Sequence, residues 1–403
     1  MRLSIRENQH GLGNKEVDQA MKIDGELSDE QKIITGMLEE YCRRNVSPAY
    51  DGWIKDRIFP RKLMKDLSGL VLGTVIASGG NAIDELTLGL ISEVMGKYEV
   101  PVPAFLTMHF AKLLPLISDQ DTRERYLDRY LKGDLVICGG FTEPGQGSDS
   151  ASISTTATQD GNVYKVNGEK SFVSSPGIAD LHILSVRTLQ LDWNQRHRGI
   201  SLLAVDAREN GVEPYDMESM ASVFKGDFGG IRLNDVSVPK GNLAGKENGG
   251  FQTLMKILNT QRVHVGLYTI GMAEASLSDA IEYAKTRKTF GEPISKHQAV
   301  SFRLAEDWSR LESVRLLAYK ALAMQDSGMD NSAECAAVKW HGCEVAFEAV
   351  SHAMQTFGAI GYVKTSSLER RFRGARGFLI GDGTPDIQKL IIARKLFGRE
   401  FSP

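Results

Sequence analysis

The spacing of apolar residues changes twice along this 403-residue chain, and these changes constrain its fold more than any other feature. From about Leu27 to Lys132, apolar residues recur at the spacing of amphipathic helices. Between Ile153 and Thr188 they alternate, as they do in half-buried strands. Helical spacing returns from about Gly249 onward. Because elements of one kind tend to pack together, this order predicts an α+β protein: a helical domain, a β domain and a second helical domain.

Local signals predict where several elements begin and end. Ser28 is a candidate helix cap, and Gln31 completes a capping box three residues later. The Asp-Gly pair at 160–161 and the Asn-Gly pair at 167–168 accept the positive φ angles of tight turns. Both pairs therefore predict β-hairpins, and Pro239 is predicted to end the strand region.

Two long amphipathic stripes follow the strands and predict a C-terminal four-helix bundle. Their apolar positions are Leu267, Ile270, Leu277, Ile281 and Ala284 on the first, and Val300, Leu304, Trp308, Leu311, Val314 and Ala318 on the second. The predicted domain limits are 1–26 for an N-terminal extension, 27–136 for the first helical domain, 137–246 for the β domain and 247–403 for the bundle.

Composition narrows the class of protein. The formal net charge of −3 offers no electrostatic attraction for nucleic acid or an anionic membrane, and no apolar run approaches a membrane span. The polar N-terminal stretch lacks the apolar core of a secretory signal. The cysteines are scattered without metal-ligand spacing, which predicts free thiols, no metal site and a cytoplasmic location.

Four separated segments carry candidate chemistry. Residues 141–149 (FTEPGQGSD) form a loop rich in hydroxyl and backbone N–H groups, suited to a flat cofactor and its phosphates. Residues 168–175 (GEKSFVSS) follow on a strand. The third segment runs from Thr260 to Gln298 and contains RKTFG at 287–291, in which a guanidinium can bind a diphosphate and an aromatic ring can cover an adenine. Taken singly, each segment is better explained as an ordinary interdomain loop, half-buried strand or helix end.

The fourth segment is residues 355–389, which contains QTFGAIGY and then LIGDGTPDIQK. Taken together, the four segments resemble the acyl-CoA dehydrogenases, whose corresponding strings include TEPGAGSD, RKxFG and YEGT. The resemblance extends from about Leu27 to Arg399. It implies a helical domain, a β-barrel-like middle domain and a four-helix bundle, with FAD as the cofactor. No G-x-G-x-x-G, G-x-x-x-x-G-K-[ST] or H-E-x-x-H pattern competes with it.

The resemblance also implies roles for individual residues. Cofactor contacts are expected at Phe141, Thr142, Ser148, Phe172, Ser174, Arg287, Phe290, Gln298, Gln355, Gly358 and Thr384. Substrate contacts are expected at Ser148, Asn259, Arg262, Gly381 and Gly383. Phe172 corresponds to an aromatic residue that covers the flavin in the family, and Ser174 to a hydroxyl at its N5 edge. Arg287 and its companions correspond to residues that contact the FAD of a neighbouring subunit, which implies a homotetramer.

Asp382 corresponds to the catalytic Glu of the family, which removes a proton alpha to a thioester. Its backbone N–H is expected to bind the thioester carbonyl as enolate charge develops. Some family members carry the base instead just before the conserved arginine, here Arg262, but that position is Gln261. Asp is one methylene shorter than Glu, and Gly381 replaces a bulky tyrosine. These two departures favour a branched, cyclic or otherwise bulky acyl group.

Several alternatives remain open at this point. A carboxylate in a Gly-Asp-Gly turn is more often a solvated residue than a catalytic one when no other motif accompanies it. The substrate could be an acyl-CoA or an acyl-carrier-protein ester, and Asn259 stands where CoA-using members commonly have Asp. An electron-transfer flavoprotein is the expected electron acceptor, with oxygen as the other possibility. Nitroalkane oxidation and a catalytically idle flavoprotein are further alternatives.

Overall fold

The computed structural model describes residues 27–75, 83–398 and 400–402. The predicted extension at 1–26 lies outside the described residues. The predicted order of a helical domain, a β domain and a second helical domain is confirmed. Within the described residues, no helix is both long enough and apolar enough to cross a membrane.

The first helical domain contains six main helices in its described part. They are α1 (Asp29–Tyr41), α2 (Tyr50–Asp56), α3 (Arg61–Leu67), α4 (Glu85–Lys97), α5 (Val102–Phe110) and α6 (Gln120–Leu131). The predicted capping box begins α1: the Gln31 N–H donates to Ser28 Oγ at 3.1 Å, and the Ser28 N–H donates to Gln31 Oε1 at 3.0 Å. Short 3-10 and π turns join or extend these helices.

The β domain has seven strands, which are β1 (Ile137–Gly140), β2 (Thr156–Asp160), β3 (Val163–Ser174), β4 (Leu181–Arg187), β5 (Ile200–Asp206), β6 (Val212–Asp216) and β7 (Phe228–Pro239). They form one sheet with the path β1-β4-β2-β3-β7-β6, and β5 pairs with β4. All seven residues of β4 are buried, since it lies against β1, β2 and β5.

One of the two predicted hairpin turns is confirmed and the other is wrong. Gly161 has φ +58° and lies in the turn between β2 and β3, as predicted. The Asn-Gly pair at 167–168 lies inside β3, where the register against β7 shifts between Val166 and Gly168. The strand continues because β7 pairs on both sides of this bulge. A Cβ at Gly168, where φ is +146°, would stand 2.6 Å from Thr155 Oγ1.

The C-terminal domain is helical, apart from a two-stranded hairpin of β8 (Lys288–Thr289) and β9 (Glu292–Pro293). Its main helices are α7 (Gly250–Thr286), α8 (Gln298–Asp326), α9 (Ser332–Ala337), α10 (Cys343–Phe357), α11 (Ser367–Phe378) and α12 (Pro385–Phe397). A π turn at Val338–Gly342 joins α9 to α10, and one helical turn at Ala359–Tyr362 follows α10.

The two predicted apolar stripes form the core of this domain, with one exception. On α8, Leu304, Leu311, Val314 and Ala318 are buried, but Trp308 is 37% exposed. The prediction was wrong there: in that turn of α8 the buried residue is Asp307, whose carboxylate pairs with His352 Nδ1 at 2.9 Å. Charged side chains thus also lie on the buried face of α8. Arg315 is fully buried and donates to Glu93 and Glu274.

Helix α7 is the long axis against which the other elements pack. Helix α4 crosses it so closely that a Cβ at Gly96 would stand 1.8 Å from the Tyr268 carbonyl oxygen. The Tyr268 hydroxyl donates to the Val100 carbonyl at 2.6 Å and joins the two helical domains. The four cysteines are buried free thiols, as predicted.

Candidate functional site

Asp382 lies in the turn between α11 and α12. Asp382 and Gly383 both have positive φ angles, +55° and +95°, and Pro385 at the start of α12 ends the turn. Within the part of the chain that the structure describes, the N–H groups of Asp382, Gly383 and Thr384 have no acceptor. Successive free N–H groups in such a turn form a concavity that can bind an oxygen with negative charge.

Gln261 on α7 contacts the Asp382 carboxylate directly. Its Nε2 donates to Asp382 Oδ2 at 3.2 Å, and its own side chain is almost completely buried. Its Oε1 is buried without a partner among the described residues, which leaves one polar atom of the site unsatisfied. The structure thus brings together the two positions at which the family resemblance places a catalytic base, and only Asp382 has a carboxylate.

Opposing effects set the pKa of Asp382. Burial raises the pKa of its carboxyl group, while the charge of Lys339, the hydrogen bond from Gln261 and the charge of Arg262 oppose that rise. A raised pKa makes a carboxylate a stronger base toward a weakly acidic carbon, provided that it stays deprotonated at the working pH. Arg262, one residue after Gln261, has a buried Nε without a partner in the described structure.

Two residues that were not predicted from the sequence hold the Asp382 turn by hydrogen bonds to its carbonyl oxygens. Gln388 is fully buried, and its Nε2 donates to the carbonyl oxygens of Asp382 at 3.1 Å and Gly383 at 3.0 Å. Lys339, in the π turn, is 1% exposed and donates to the Gly383 carbonyl at 3.4 Å. The signal for Lys339 was a lone charge between apolar neighbours in a helical stretch, at a position that faces the core.

The loop at 141–149 is held in place by a buried carboxylate. Glu143 accepts from the N–H groups of Ser154 at 2.7 Å and Thr155 at 2.9 Å, and from Lys170 at 2.8 Å. Burial alone would raise the pKa of Glu143, but Lys170 and these hydrogen bonds lower it to about 2. The ion pair with Lys170 therefore fixes the loop against β3 at neutral pH.

The predicted flavin-side residues of this loop and of β3 lie next to one another. The Ser171 N–H donates to the Thr142 carbonyl at 2.9 Å, which places Thr142 beside Phe172. Phe172 is 55% exposed and has φ +55°, an uncommon backbone conformation for an aromatic residue. Ser148 is exposed and Ser174 is half-buried. An aromatic ring held outward beside hydroxyl groups fits the expected flat cofactor ring.

Phe141 contributes to the same loop from its inner side. Its ring packs edge-on against Phe110, with a centroid distance of 5.8 Å. A Cβ at Gly139 would stand 2.6 Å from the Phe141 ring, so β1 requires a glycine there. Phe141 therefore anchors the start of the loop while remaining partly exposed.

The remaining predicted cofactor residues form a separate, exposed set at the far end of α7. This outer set consists of Arg287, Phe290, Gln298, Gln355 and Gly358, and all five are exposed. Tyr283 stacks on Phe357 with centroids 4.1 Å apart, which joins the end of α7 to the end of α10.

The outer set lies far from Asp382 within one chain. Gln261 and Thr286 are separated by about 38 Å along α7, given a rise of about 1.5 Å per residue. Arg287 directly follows that end of the helix. The structure therefore does not bring the outer set together with Asp382 in one chain.

Asn259 lies less than one turn before Arg262 on α7 and pairs with a second amide. Its Nδ2 donates to Asn331 Oδ1 at 2.9 Å. Asn331 is buried, and its own Nδ2 donates to the Ala321 carbonyl at 2.7 Å. The oxygen of Asn331 is thus held toward position 259. A donor is needed at that position, which gives a physical reason for Asn rather than Asp there.

Comparisons with known proteins identify the family. Three family models match in order: the acyl-CoA dehydrogenase N-terminal domain at 28–134, its middle domain at 138–236 and its C-terminal domain at 248–397. The chain belongs to the acyl-CoA dehydrogenase family. As an acyl-CoA dehydrogenase it is a flavin-dependent oxidoreductase that acts on CH–CH groups.

Similar proteins cover almost the whole chain. The mitochondrial isobutyryl-CoA dehydrogenase of Dictyostelium discoideum is 31% identical over 92% of this acyl-CoA dehydrogenase and 90% of its own length. The cyclohexane-1-carbonyl-CoA dehydrogenase of Geobacter metallireducens is 29% identical, over 92% and 98% of the two chains. The crystal structure of an acyl-CoA dehydrogenase from Geobacillus kaustophilus superimposes with a TM-score of 0.87 at 30% identity, over 92% and 99% of the two chains.

Proposed function

We propose that this protein is an FAD-dependent acyl-thioester dehydrogenase in which Asp382 is the catalytic base. The observation that carries the proposal is the hydrogen bond from Gln261 to a carboxylate beside unsatisfied backbone N–H groups. In the reaction, the Asp382 carboxylate takes the α proton and the electrons of that C–H bond form the Cα=Cβ bond. Bound FAD would supply the acceptor for the hydride that leaves the β carbon. The product is a 2-enoyl thioester.

The turn supplies more than the base. The N–H groups of Asp382, Gly383 and Thr384 have no acceptor among the described residues, and a thioester carbonyl oxygen can accept from that of Asp382. Removal of a donor of this kind commonly reduces kcat by about 100-fold to 1,000-fold. Thus one turn provides a proton acceptor and a donor to the oxygen on which negative charge develops.

The acyl group is inferred to be branched or alicyclic. At Gly381, the nearest atom to an added Cβ is the Gly377 carbonyl oxygen at 3.9 Å, so the place of the family's tyrosine is open space. The relatives named for isobutyryl-CoA and cyclohexane-1-carbonyl-CoA support this inference, because both acyl groups are branched at the α carbon. The acyl group is inferred to be carried by CoA, with acyl carrier protein as the alternative.

The cofactor site is inferred to be completed by a second copy of the chain. The outer set is exposed and lies about 38 Å along α7 from Gln261, which contacts the base. The outer set is therefore too far away to act at the Asp382 turn of the same chain. Phe290 is 98% exposed, and its ring meets the His297 ring edge-on with centroids 6.4 Å apart. A homotetramer in which the outer set contacts the FAD of a neighbouring subunit accounts for both facts. An electron-transfer flavoprotein is the inferred electron acceptor.

Anaerobic bleaching of the flavin tests the proposal. Purified holoenzyme is mixed with isobutyryl-CoA, cyclohexane-1-carbonyl-CoA, butyryl-CoA or nitroethane, and the flavin absorbance is followed. We expect the branched and cyclic CoA esters to bleach it faster than butyryl-CoA. Asp382→Asn should abolish bleaching, whereas the matched control Asp386→Asn, an exposed carboxylate four residues on, should not. Bleaching by nitroethane alone would replace the proposal with nitroalkane oxidation, and normal bleaching by D382N would remove Asp382 from the mechanism.

A further inference from the structure

Lys339 is a buried cation that has no part in the proposed proton and hydride transfers. Its side chain is 1% exposed, and its only hydrogen bond among the described residues runs from Nζ to the Gly383 carbonyl at 3.4 Å. No carboxylate oxygen of the described residues lies within 4.0 Å of it. A buried ammonium without a close counter-ion is costly, whereas an apolar side chain would fill the same space at no such cost.

The positive charge of Lys339 favours the ionised form of the base Asp382. Among the effects that favour the ionised form of Asp382, the charge of Lys339 is the largest, ahead of the Gln261 hydrogen bond and the charge of Arg262. Lys339 lies in the π turn at Val338–Gly342, and π turns inside helices often occur at functional sites. The Lys389 ammonium lies 4.6 Å from the ring centroid of Trp340, the residue after Lys339.

The hydrogen bonds of the turn form a connected set. Lys339 and Gln388 both donate to the Gly383 carbonyl, and Gln388 also donates to the Asp382 carbonyl. A carbonyl oxygen has two lone pairs and can accept both donors. Hydrogen bonds on a peptide carbonyl polarise the same peptide unit and strengthen its N–H as a donor. Those N–H groups belong to Gly383 and Thr384, which directly follow the base and have no acceptor for these N–H groups among the described residues.

We propose that Lys339 is a positioning residue for the reaction: its ammonium holds the turn at 382–384 through the Gly383 carbonyl and supplies the positive charge that faces the Asp382 carboxylate. The proposal rests on the proposed role of Asp382 as the base. Besides Lys339, the titratable or charged groups of the described residues that act on Asp382 are Arg262 from α7 and the Cys343 thiol from α10. Lys339 itself does not touch the substrate.

Two variants and a control test the proposal. Lys339→Met removes the charge and the donor, Lys339→Arg retains both, and Lys389→Met removes a nearby exposed cation that does not contact the turn. The first measurement is an infrared titration of the Asp382 carboxyl band, which is assigned by its absence in D382N holoenzyme. The second is the pH profile of kcat/KM with whichever of the three CoA esters bleaches the flavin fastest.

We expect the Asp382 carboxyl of K339M to titrate at higher pH than in the parent protein. The acid limb of kcat/KM should move in the same direction. At pH 7, kcat/KM should fall by about 10-fold to 100-fold, because small displacements of a base have effects of that order. The loss should shrink as pH rises. K339R should recover most of the activity and K389M should match the parent. If K339M fails to retain FAD, K339Q, which lacks the charge, serves for the same comparison.

Two different failures can be told apart. A K339M titration and acid limb that coincide with those of the parent would overturn the role of Lys339, even if D382N is inactive. Turnover by D382N equal to that of the parent would instead overturn the proposed base, whatever the infrared titration of K339M shows. A uniform loss of activity at every pH in K339M, with the carboxyl titration unchanged, would assign Lys339 a structural role and also overturn the proposal.

Discussion

Gln261 Nε2 lies 3.2 Å from Asp382 Oδ2, and this hydrogen bond joins the middle of α7 to a turn 121 residues later in the chain. The contact matters because the family resemblance places a catalytic base at either of these two positions. Here one of them holds the carboxylate and the other donates a hydrogen bond to it. An amide at position 261 favours the ionised form of Asp382, whereas a second carboxylate would oppose it.

Replacement of Gln261 should change the pH dependence of the reaction. Gln261→Met removes a hydrogen bond to the carboxylate, and Gln261→Glu adds a like charge, so both should raise the pKa of Asp382. Because the base must be deprotonated, the acid limb of kcat/KM should move to higher pH, further in Q261E than in Q261M. The measurement is a pH profile of flavin reduction. Unchanged profiles in both variants would show that Gln261 does not influence the base.

The ion pair between Glu143 and Lys170, which holds the loop at 141–149, should make the free energy of unfolding depend on pH in the acid range. The pKa of Glu143 is lowered to about 2 in the folded protein, below its unfolded value of about 4.3. Its contribution to the free energy of unfolding is therefore complete above pH ~4.3 and is lost as the pH falls toward about 2. Glu143→Gln leaves Lys170 buried without a counter-ion and should destabilise by about 3–5 kcal/mol at neutral pH.

Urea unfolding between pH 3 and pH 7 measures this effect. The variant should lose part of the acid dependence that the parent shows at the low end of that range. Glu213→Gln is the matched control, because Glu213 is exposed on β6 and should change the free energy of unfolding by less than about 0.5 kcal/mol. Equal stability of E143Q and E213Q would contradict the role given to the buried pair.

Bulk at position 381 should change the choice of substrate. Gly381→Tyr fills space in which an added Cβ meets nothing closer than 3.9 Å, so the turn should tolerate it. The ratio of kcat/KM for cyclohexane-1-carbonyl-CoA to that for butyryl-CoA should fall by about 10-fold to 200-fold, the range that pocket shape commonly supplies. Gly377→Ala, on the preceding helix and also in open space, is the control. An unchanged ratio in G381Y would show that Gly381 does not influence the choice of acyl group.

The hydrogen-bonded pair of Asn259 and Asn331 should be destabilised when a carboxylate replaces the Asn259 amide. Asn259→Asp replaces a donor with an acceptor that faces the fixed oxygen of Asn331. We expect a loss of about 1–3 kcal/mol in the free energy of unfolding at pH 7, since a buried acceptor is left opposite another acceptor. The loss should diminish below the pKa of the introduced carboxyl, where protonation restores a donor. A pH-independent change would indicate that Asn331 turns its amide and that the pair is not fixed.

Much of the fold followed from local chemistry. The capping box at Ser28 formed as predicted because both partners lie within one helical turn. The turn at 160–161 formed because a glycine with positive φ connects two adjacent strands. The roles of individual site residues stay predictions, although the structure places Thr142 beside Phe172 and the Arg262 charge beside Asp382.

The failures share a physical cause. The Asn-Gly pair at 167–168 has the local preference of a turn, but pairing with β7 on both sides keeps it inside a strand. Trp308 has the spacing of a core residue, yet the buried residue of that turn is Asp307, which pairs with His352 on α10. In each case a partner distant in sequence outweighed a preference of a few neighbouring residues.

The sequence by itself determined the alternation of helical and β segments, the family and Asp382 as the candidate base, because these follow from periodicity and from motifs of contiguous residues. Only the tertiary structure decided what surrounds that base. The donor from Gln261, the buried ammonium of Lys339 and the free N–H groups of the turn come from segments separated by tens of residues or more. Packing of α7, the π turn and the turn before α12 brings them together, and it is their proximity and burial that shift the pKa of Asp382.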